Sequence, residues 1–519
     1  MRQRRVVIVG AGMAGLAAAI DLAARGVEVV VFDAADAPGG KMREVRIAGE
    51  PIDAGPTVLT MRSVFEELFE AAGASLADRV PMDPAETLAR HAWDEGGRLD
   101  LFADRERSAD AIGDFAGAAA ARGYLAFCAE SRRIFEALDT TFMRAQQTGP
   151  AGLTRRFGVT GAADLAAIKP FTTLWRALGK HFRDPRLRQL FGRYATYCGG
   201  SPFLAPATLM LVAHVEQSGV WMVRGGMHRL ARGMADLAGE SGAVVRYASP
   251  VARIAVHGRV ATGVVLESGE EVAADAVISA ADVSAIAGGA FGEAVSGAVE
   301  GVPPAERSQS ALTWAEVAVP DGFPLARHTV FFSSDYEAEF RDVFRDRRLP
   351  EAPTVYVCAQ DRDASGGPAD GEPGAEKGGD RLAFIVNAPP DGDRRRFDPE
   401  EIDRCIERAK SLMGRCGLTL HAGPGERTTT TPADYERMFP NTGGALYGRA
   451  PHGAMAAFRR PGSRSRVSGL YLAGGSVHPG PGVPMAALSG RLAAEAVMQD
   501  FASTGRSRPA ATPGGISTG

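Results

Sequence analysis

Apolar and polar positions divide this chain into stretches of different period. Val6-Val7-Ile8-Val9 is a continuous apolar run followed by Gly10-Ala11-Gly12-Met13-Ala14-Gly15, and a second run, Val29-Val30-Val31-Phe32, closes on Asp33. Short apolar runs bounded by glycine predict buried strands, with a helix between them. From about residue 108 to 214 the period turns helical. Phe171, Leu174, Trp175, Leu178 and Phe182 fall at three-, four- and seven-residue steps on one apolar face, flanked by Lys169, Arg176, Lys180 and Arg183. Residues 228–239 predict another helix, and residues 244–247, 251–256, 261–266 and 275–280 alternate as strands, including a hairpin. More strands are predicted at 329–332 and 382–387. Near the C-terminus, Leu470-Tyr471-Leu472 runs into Ala473-Gly474-Gly475, and the rigid turn from His478 to Pro484 precedes a helix predicted over 486–498. Residues 361–380, rich in Gly, Pro and acids and without aromatics, predict a mobile loop, and 503–519 a disordered tail.

Composition narrows the function classes. At 519 residues the chain can form two substantial lobes, and its 45% hydrophobic content is that of a globular protein. A net charge of −4 with no basic tract argues against nucleic acid as a partner. Cys128, Cys198, Cys358, Cys405 and Cys416 are odd in number and scattered, suggesting neither a disulfide framework nor a metal site and fitting a reducing cytoplasm. The basic start and apolar run to Ile20 resemble a secretory signal, but cleavage would destroy the glycine motif. No apolar stretch reaches the ~20 residues of a membrane span. The basic-flanked Phe171 to Phe182 face has two readings: a core-facing helix, or one that lies on an anionic membrane surface.

The glycine turn has a specific chemistry. Gly10 permits the tight turn, Gly12 lets backbone N–H groups approach a pyrophosphate, and Gly15 lets the helix pack on the strand; the helix N-terminus faces the phosphate charge. Asp33 stands near the ~20-residue offset of an acid that holds ribose hydroxyls. Pro38-Gly39-Gly40-Lys41 and Asp53-Ala54-Gly55-Pro56-Thr57 are tight turns that suit a phosphate or flavin contact, or simple loop punctuation. The Gly474-Gly475 strand end with the following helix forms a second such site. Two sites far apart in sequence imply an extended cofactor such as FAD.

These motifs in this order, together with Gly225-Gly226-Met227 and Ser476 to Pro484, resemble the FAD-dependent carotenoid desaturases among the amine-oxidase-like flavoproteins. Residues 55–61, 191–197 and 219–228 resemble the branch acting on hydroxyneurosporene and methoxyneurosporene. The resemblance implies an α/β fold: a Rossmann-like FAD-binding domain, discontinuous in sequence, with an α+β substrate domain bearing a helical membrane-facing insertion. The expected FAD-binding parts are 1–90, 216–295 and 436–502, with the helical membrane-facing part at 91–215 and the sheet part of the substrate domain at 296–435. It implies that the Gly10 to Gly15 turn, with Met13 and Ala14, holds the pyrophosphate, Asp33 the adenosine ribose, Gly40 and Lys41 the phosphate side, and the Val251 backbone the adenine. Gly55, Pro56, Thr57, Gly474, Gly475, Val483, Pro484 and Met485 would lie along the remainder of the cofactor. Asp33 stands where glutamate is common in the family, a shorter arm toward the ribose.

The implied reaction introduces a C3–C4 double bond into a 1-hydroxy- or 1-methoxycarotenoid, with oxygen or a quinone as terminal acceptor. The polyene delocalises the developing cation, so positioning matters more than a strong base. His478 is a weak candidate proton acceptor beside its reading as a residue that orients the turn; Tyr447, Arg449, His452, Glu216 and His214 are further polar groups. Thr196, Tyr197 and Ser201 are candidates for sensing the substrate oxygen in an apolar tunnel. A bilayer-soluble substrate favours a peripheral position on the cytoplasmic membrane. The alternatives are a phytoene desaturase, an amine-oxidase-type flavoenzyme on a polar substrate, and a protein that holds FAD without turnover.

Overall fold

The structure is a computed structural model that describes residues 3–158, 161–365, 367 and 379–506. Its first layer is a five-stranded parallel sheet in the order Leu470–Leu472, Ala276–Ser279, Arg5–Val9, Glu28–Phe32, Val244–Arg246. Parallel neighbours require crossover connections. The helix Met13–Ala23 makes the first one, and all of its residues are buried because the C-terminal helix Val483–Arg506 packs on its other side. At their crossing a Cβ on Gly490 would lie 2.0 Å from the Ala14 carbonyl oxygen. Beyond Glu28–Phe32 the chain leaves this sheet and returns for strands drawn from two distant segments.

The second layer is an eight-stranded mixed sheet, in which Ser310–Asp321, Asp380–Ala388, Val355–Ala359, His328–Phe332, Thr87–Trp93 and Arg98–Phe102 are successive neighbours. Both its faces are covered, and side chains alternate between them along each strand. Val330 and Phe332 point into an aromatic core shared with the helical segment, while Phe331 points into a core closed by the helix Pro399–Arg415. The helical segment, which includes the long helix Ala118–Leu138, therefore roofs one face of this sheet.

Several expectations change. The boundary at residue 90 falls inside strand Thr87–Trp93, which pairs in parallel with His328–Phe332, so the second lobe begins earlier. The boundary at 216 falls inside helix Leu211–Gln217. The helix expected around Phe171 to Phe182 is Leu174–His181, capped by the Thr173 side chain. Its apolar face is buried: Leu174, Leu178 and Phe182 lie in the core, Phe182 stacked at 4.7 Å on Phe191. That face is consequently not a membrane face; Phe171, outside the helix, alone of that set is 84% exposed. The loop over 361–380 has tied ends, because Arg381 donates to the buried Asp361 carboxylate and Arg362 to Asp380; residues 366 and 368–378 lie outside the described residues. Residues 503–506 end the last helix instead of starting a disordered tail, and 507–519 lie outside the described residues.

Candidate functional site

The first wall of the cleft is main chain. Gly10 follows its strand at φ +104°, and its N–H donates to the Phe32 carbonyl at 2.7 Å. A Cβ at Gly15 would stand 1.9 Å from the Gly10 carbonyl oxygen, so no other residue lets the helix start this close to the turn. Gly12 is the N-cap and supplies no side-chain acceptor to a helix buried along its whole length. A helix N-terminus without a side-chain cap turns the N–H groups of its first turn toward an anion, which the helix dipole favours. Asp33 accepts from the Ala11 N–H at 2.5 Å and the Ala35 N–H at 2.8 Å. Burial nevertheless pushes its carboxyl above the usual range. Ser249 donates to the Asp33 carbonyl, which sets the strand that opens at Val251 beside this acid.

The far end of the sequence folds onto the same spot. Gly474, at φ +125°, would place a Cβ 3.5 Å from the Ala280 carbonyl oxygen, and a Cβ on Gly10 would lie 3.6 Å from the Ala280 carbonyl carbon. The two glycine turns thus flank one residue. The Gly475 carbonyl accepts from the buried Arg460, which also holds the Tyr447 and Arg449 carbonyls. Pro484 lies in the first turn of the last helix, and beside it Met485 packs on both the nucleotide core and the aromatic core, with Val483 in the former. Gly39 donates to the Ala11 carbonyl and forms a bridge with Gly12, laying Gly40 against the glycine turn, and Gly55 packs on the Lys41 carbonyl. The Lys41 ammonium donates to the Leu446 carbonyl at 2.7 Å, and burial lowers its pKa. The Asp53 carboxylate accepts from the Met227 and His228 N–H groups, capping the helix His228–Glu240 from another part of the chain.

Beyond Pro56 the cleft meets the second sheet. The Thr57 hydroxyl is 2.6 Å from the Tyr356 hydroxyl, which is 2.7 Å from His328 Nδ1. Burial pushes His328 down to about 3, with Arg327 and Arg193 adding to the effect. Tyr194 and Tyr197 donate to the two Glu216 oxygens at 2.7 and 3.0 Å, and Arg193, 3.8 Å from Glu216, bonds to the Tyr197 hydroxyl. This polar cluster lies within an aromatic core that also touches Val58 and Met485.

The model of the flavin-containing amine oxidoreductase family matches residues 13–498. The chain belongs to that family. Its cofactor is FAD, and the uncapped helix and paired glycine turns suit an extended dinucleotide. The hydroxyneurosporene desaturase of Rubrivivax gelatinosus is 52% identical over 519 residues, covering 100% of this chain and 98% of that protein. The hydroxyneurosporene desaturase of Cereibacter sphaeroides is 44% identical over 506 residues, 97% of this chain and 99% of that protein. Among solved structures, an oxidoreductase from Methanosarcina mazei superposes with a TM-score of 0.58 at 15% identity, covering 95% of this chain and 100% of that one. It shares the fold.

In this flavin-family chain the polar candidates separate. His478 Nε2 donates to the Phe142 and Ala145 carbonyls, both at 2.9 Å, so the ring buttresses the C-terminal turn, and burial lowers its pKa; proton acceptance through that nitrogen is blocked. The Thr196 hydroxyl donates to the Arg193 carbonyl and the Ser201 hydroxyl accepts from the Phe203 N–H, both local turn bonds, which leaves Tyr197 as the tunnel candidate in the polar cluster. His452 accepts from the Ser201 N–H, Arg449 pairs with Glu306, the Tyr447 N–H donates to Ser308, and His214 lies against Phe135. Arg193, His328 and Tyr356 carried no sequence signal of a shared site, since they come from three elements that meet only in the fold.

Proposed function

We propose that this chain is an FAD-dependent carotenoid desaturase that introduces the C3–C4 double bond into 1-hydroxy- or 1-methoxycarotenoids. The observation that carries the reading is full-length similarity, 52% identical, to an enzyme named for desaturating hydroxyneurosporene. The N–H groups of Gly12, Met13 and Ala14 hold the pyrophosphate, Asp33 the adenosine ribose, and the Val251 backbone the adenine. Gly55 to Thr57, Gly475 and Val483 to Met485 border the remainder of the cofactor. When bound, FAD supplies a hydride acceptor, and the electrons pass on to oxygen or a quinone. The aromatic core excludes water and holds the polyene in register, so that one of many similar carbons meets the reactive end of the cleft. No strong base is required: a cation beside a polyene is delocalised, and a weak acceptor takes its proton.

The enzyme works at the surface of the cytoplasmic membrane. Among the described residues no helix is long and apolar enough to cross one. Phe171, Leu204 and Met455 are 84%, 51% and 49% exposed, and their segments are joined: Ala207 donates to the Thr172 carbonyl, and Gly453 to that of Leu204. A clustered apolar patch of this kind suits insertion among lipid headgroups. The FAD-loaded protein is to be given 1-hydroxyneurosporene, neurosporene and phytoene separately in liposomes, and products followed by absorption and chromatography. A red-shifted product from the hydroxylated carotenoid is expected; conversion of phytoene alone overturns the assignment.

A further inference from the structure

The oxygen on C1 of such a substrate stands only a few bonds from the carbons that react. Whatever senses it must lie within about one side-chain length of the reactive end of the cleft, inside an otherwise apolar core. Thr57 and Tyr356 mark the place where cleft and second sheet meet; Arg193 stands 3.5 Å from His91 Nε2 on the strand paired with His328–Phe332, and the Tyr336 ring packs on Phe332 at 6.0 Å. The cluster is not closed on itself. Arg193 Nε, His328 Nε2 and the Tyr336 hydroxyl are buried with no hydrogen-bond partner. An unpartnered buried donor forfeits the bonds it made to water, and a network serving the fold alone gains by pairing it. The guanidinium N–H groups are donors only, so a ligand that satisfies Arg193 must bring an acceptor. A tertiary hydroxyl and a methyl ether both bring one; a hydrocarbon end brings none.

Resting on the desaturase reading above, we infer that the Arg193 cluster, with His328 and Tyr336, receives the C1 oxygen of the substrate and thereby selects oxygenated over plain carotenoids. Arg193 also stays within reach of Glu216, so the charge needed for recognition is balanced before substrate arrives. Rejection of the hydrocarbon then comes from the donors it leaves unpaired.

The test uses full-length, FAD-loaded protein in liposomes, with KM measured for 1-hydroxyneurosporene and Ki for neurosporene as a competitor. Arg193→Lys keeps the charge beside Glu216 and removes the Nε donor; Tyr336→Phe removes a hydroxyl without disturbing the ion pair. For each variant KM is expected to rise about tenfold, the cost of one hydrogen bond to an oxygen, while Ki stays within about twofold. Parallel shifts in KM and Ki reveal a structural role and overturn the inference, as do unchanged values. If Arg193→Lys fails to retain FAD, Tyr336→Phe and His328→Phe give the same readout. Wild-type protein that converts no carotenoid overturns the desaturase reading itself, whereas conversion with equal KM and Ki overturns only the selection by oxygen.

Discussion

Around Gly10, Gly15 and Gly474 the groups facing the cleft are backbone N–H and carbonyl groups, whereas around Arg193 and Tyr356 they are long side chains meeting from separate elements. The first region gains its geometry from the absence of side chains. Its tolerances are steric, because a Cβ at Gly15 meets a backbone oxygen that cannot move away. The second gains its geometry from mutual satisfaction, in which Glu216 is shared by two tyrosines and an arginine. Its tolerances are electrostatic. A binding surface made of main chain suits a cofactor that never changes; one made of side chains suits the choice between similar substrates.

The contrast breaks most severely at Gly15. Gly15→Val is expected to cost more than ~5 kcal/mol and to yield protein without flavin, read from the absorbance of the purified protein; yellow, stoichiometric FAD would place the pyrophosphate elsewhere. Next comes Glu216→Ala, which leaves Arg193 buried and uncompensated and is expected to cost ~3–5 kcal/mol by denaturant titration. A loss below ~1 kcal/mol would mean that the cluster is open to water.

A third effect sharpens the electrostatic side. Glu339 is buried, accepts from Thr354 and Asn387, and connects through Asn387 and Gln309 toward the Thr196 carbonyl. Burial pushes its carboxyl up to about 7 from the ordinary 4.5. The folded state therefore keeps a proton that the unfolded chain gives up, so the stability is full below about pH 4.5 and falls as pH rises through about 7, by roughly 3 kcal/mol. Glu339→Gln should flatten that slope in denaturation curves taken between about pH 5 and about pH 8. An equal slope in the variant assigns the pH dependence to other groups. Smallest in stability is the surface patch: Phe171→Ser, Leu204→Ser and Met455→Ser together are expected to change folding by less than ~0.5 kcal/mol per site yet to reduce liposome flotation. Undiminished flotation removes the patch from the membrane model.

Legibility follows the same division. The strand, turn, helix and Asp33 could be read locally because each depends on residues within one crossover. Gly474 to Pro484 could be read as a motif, yet its place against Ala280 depends on three distant segments joining one sheet. Asp53 sits in a turn whose tightness was visible, but its carboxylate caps a helix that starts at His228, a partner no spacing rule indicates. The basic-flanked helix near Phe171 shows the limit most plainly. Its periodicity was real, and the covering surface is Phe127 and Phe191 instead of lipid.

By itself the sequence determined a glycine turn that only an unbranched backbone can form, the acid that follows it, and the strands and helices whose apolar period requires burial. Those features rest on steric and hydrophobic demands met within a few turns of chain. Only the tertiary structure decided that Gly10 and Gly474 share one cleft, that Lys41 points to Leu446, and that Arg193, Glu216, His328 and Tyr356 meet in one core. Burial explains the difference: it depends on what covers a face, and a charged or polar side chain finds its partner through the path of the whole chain.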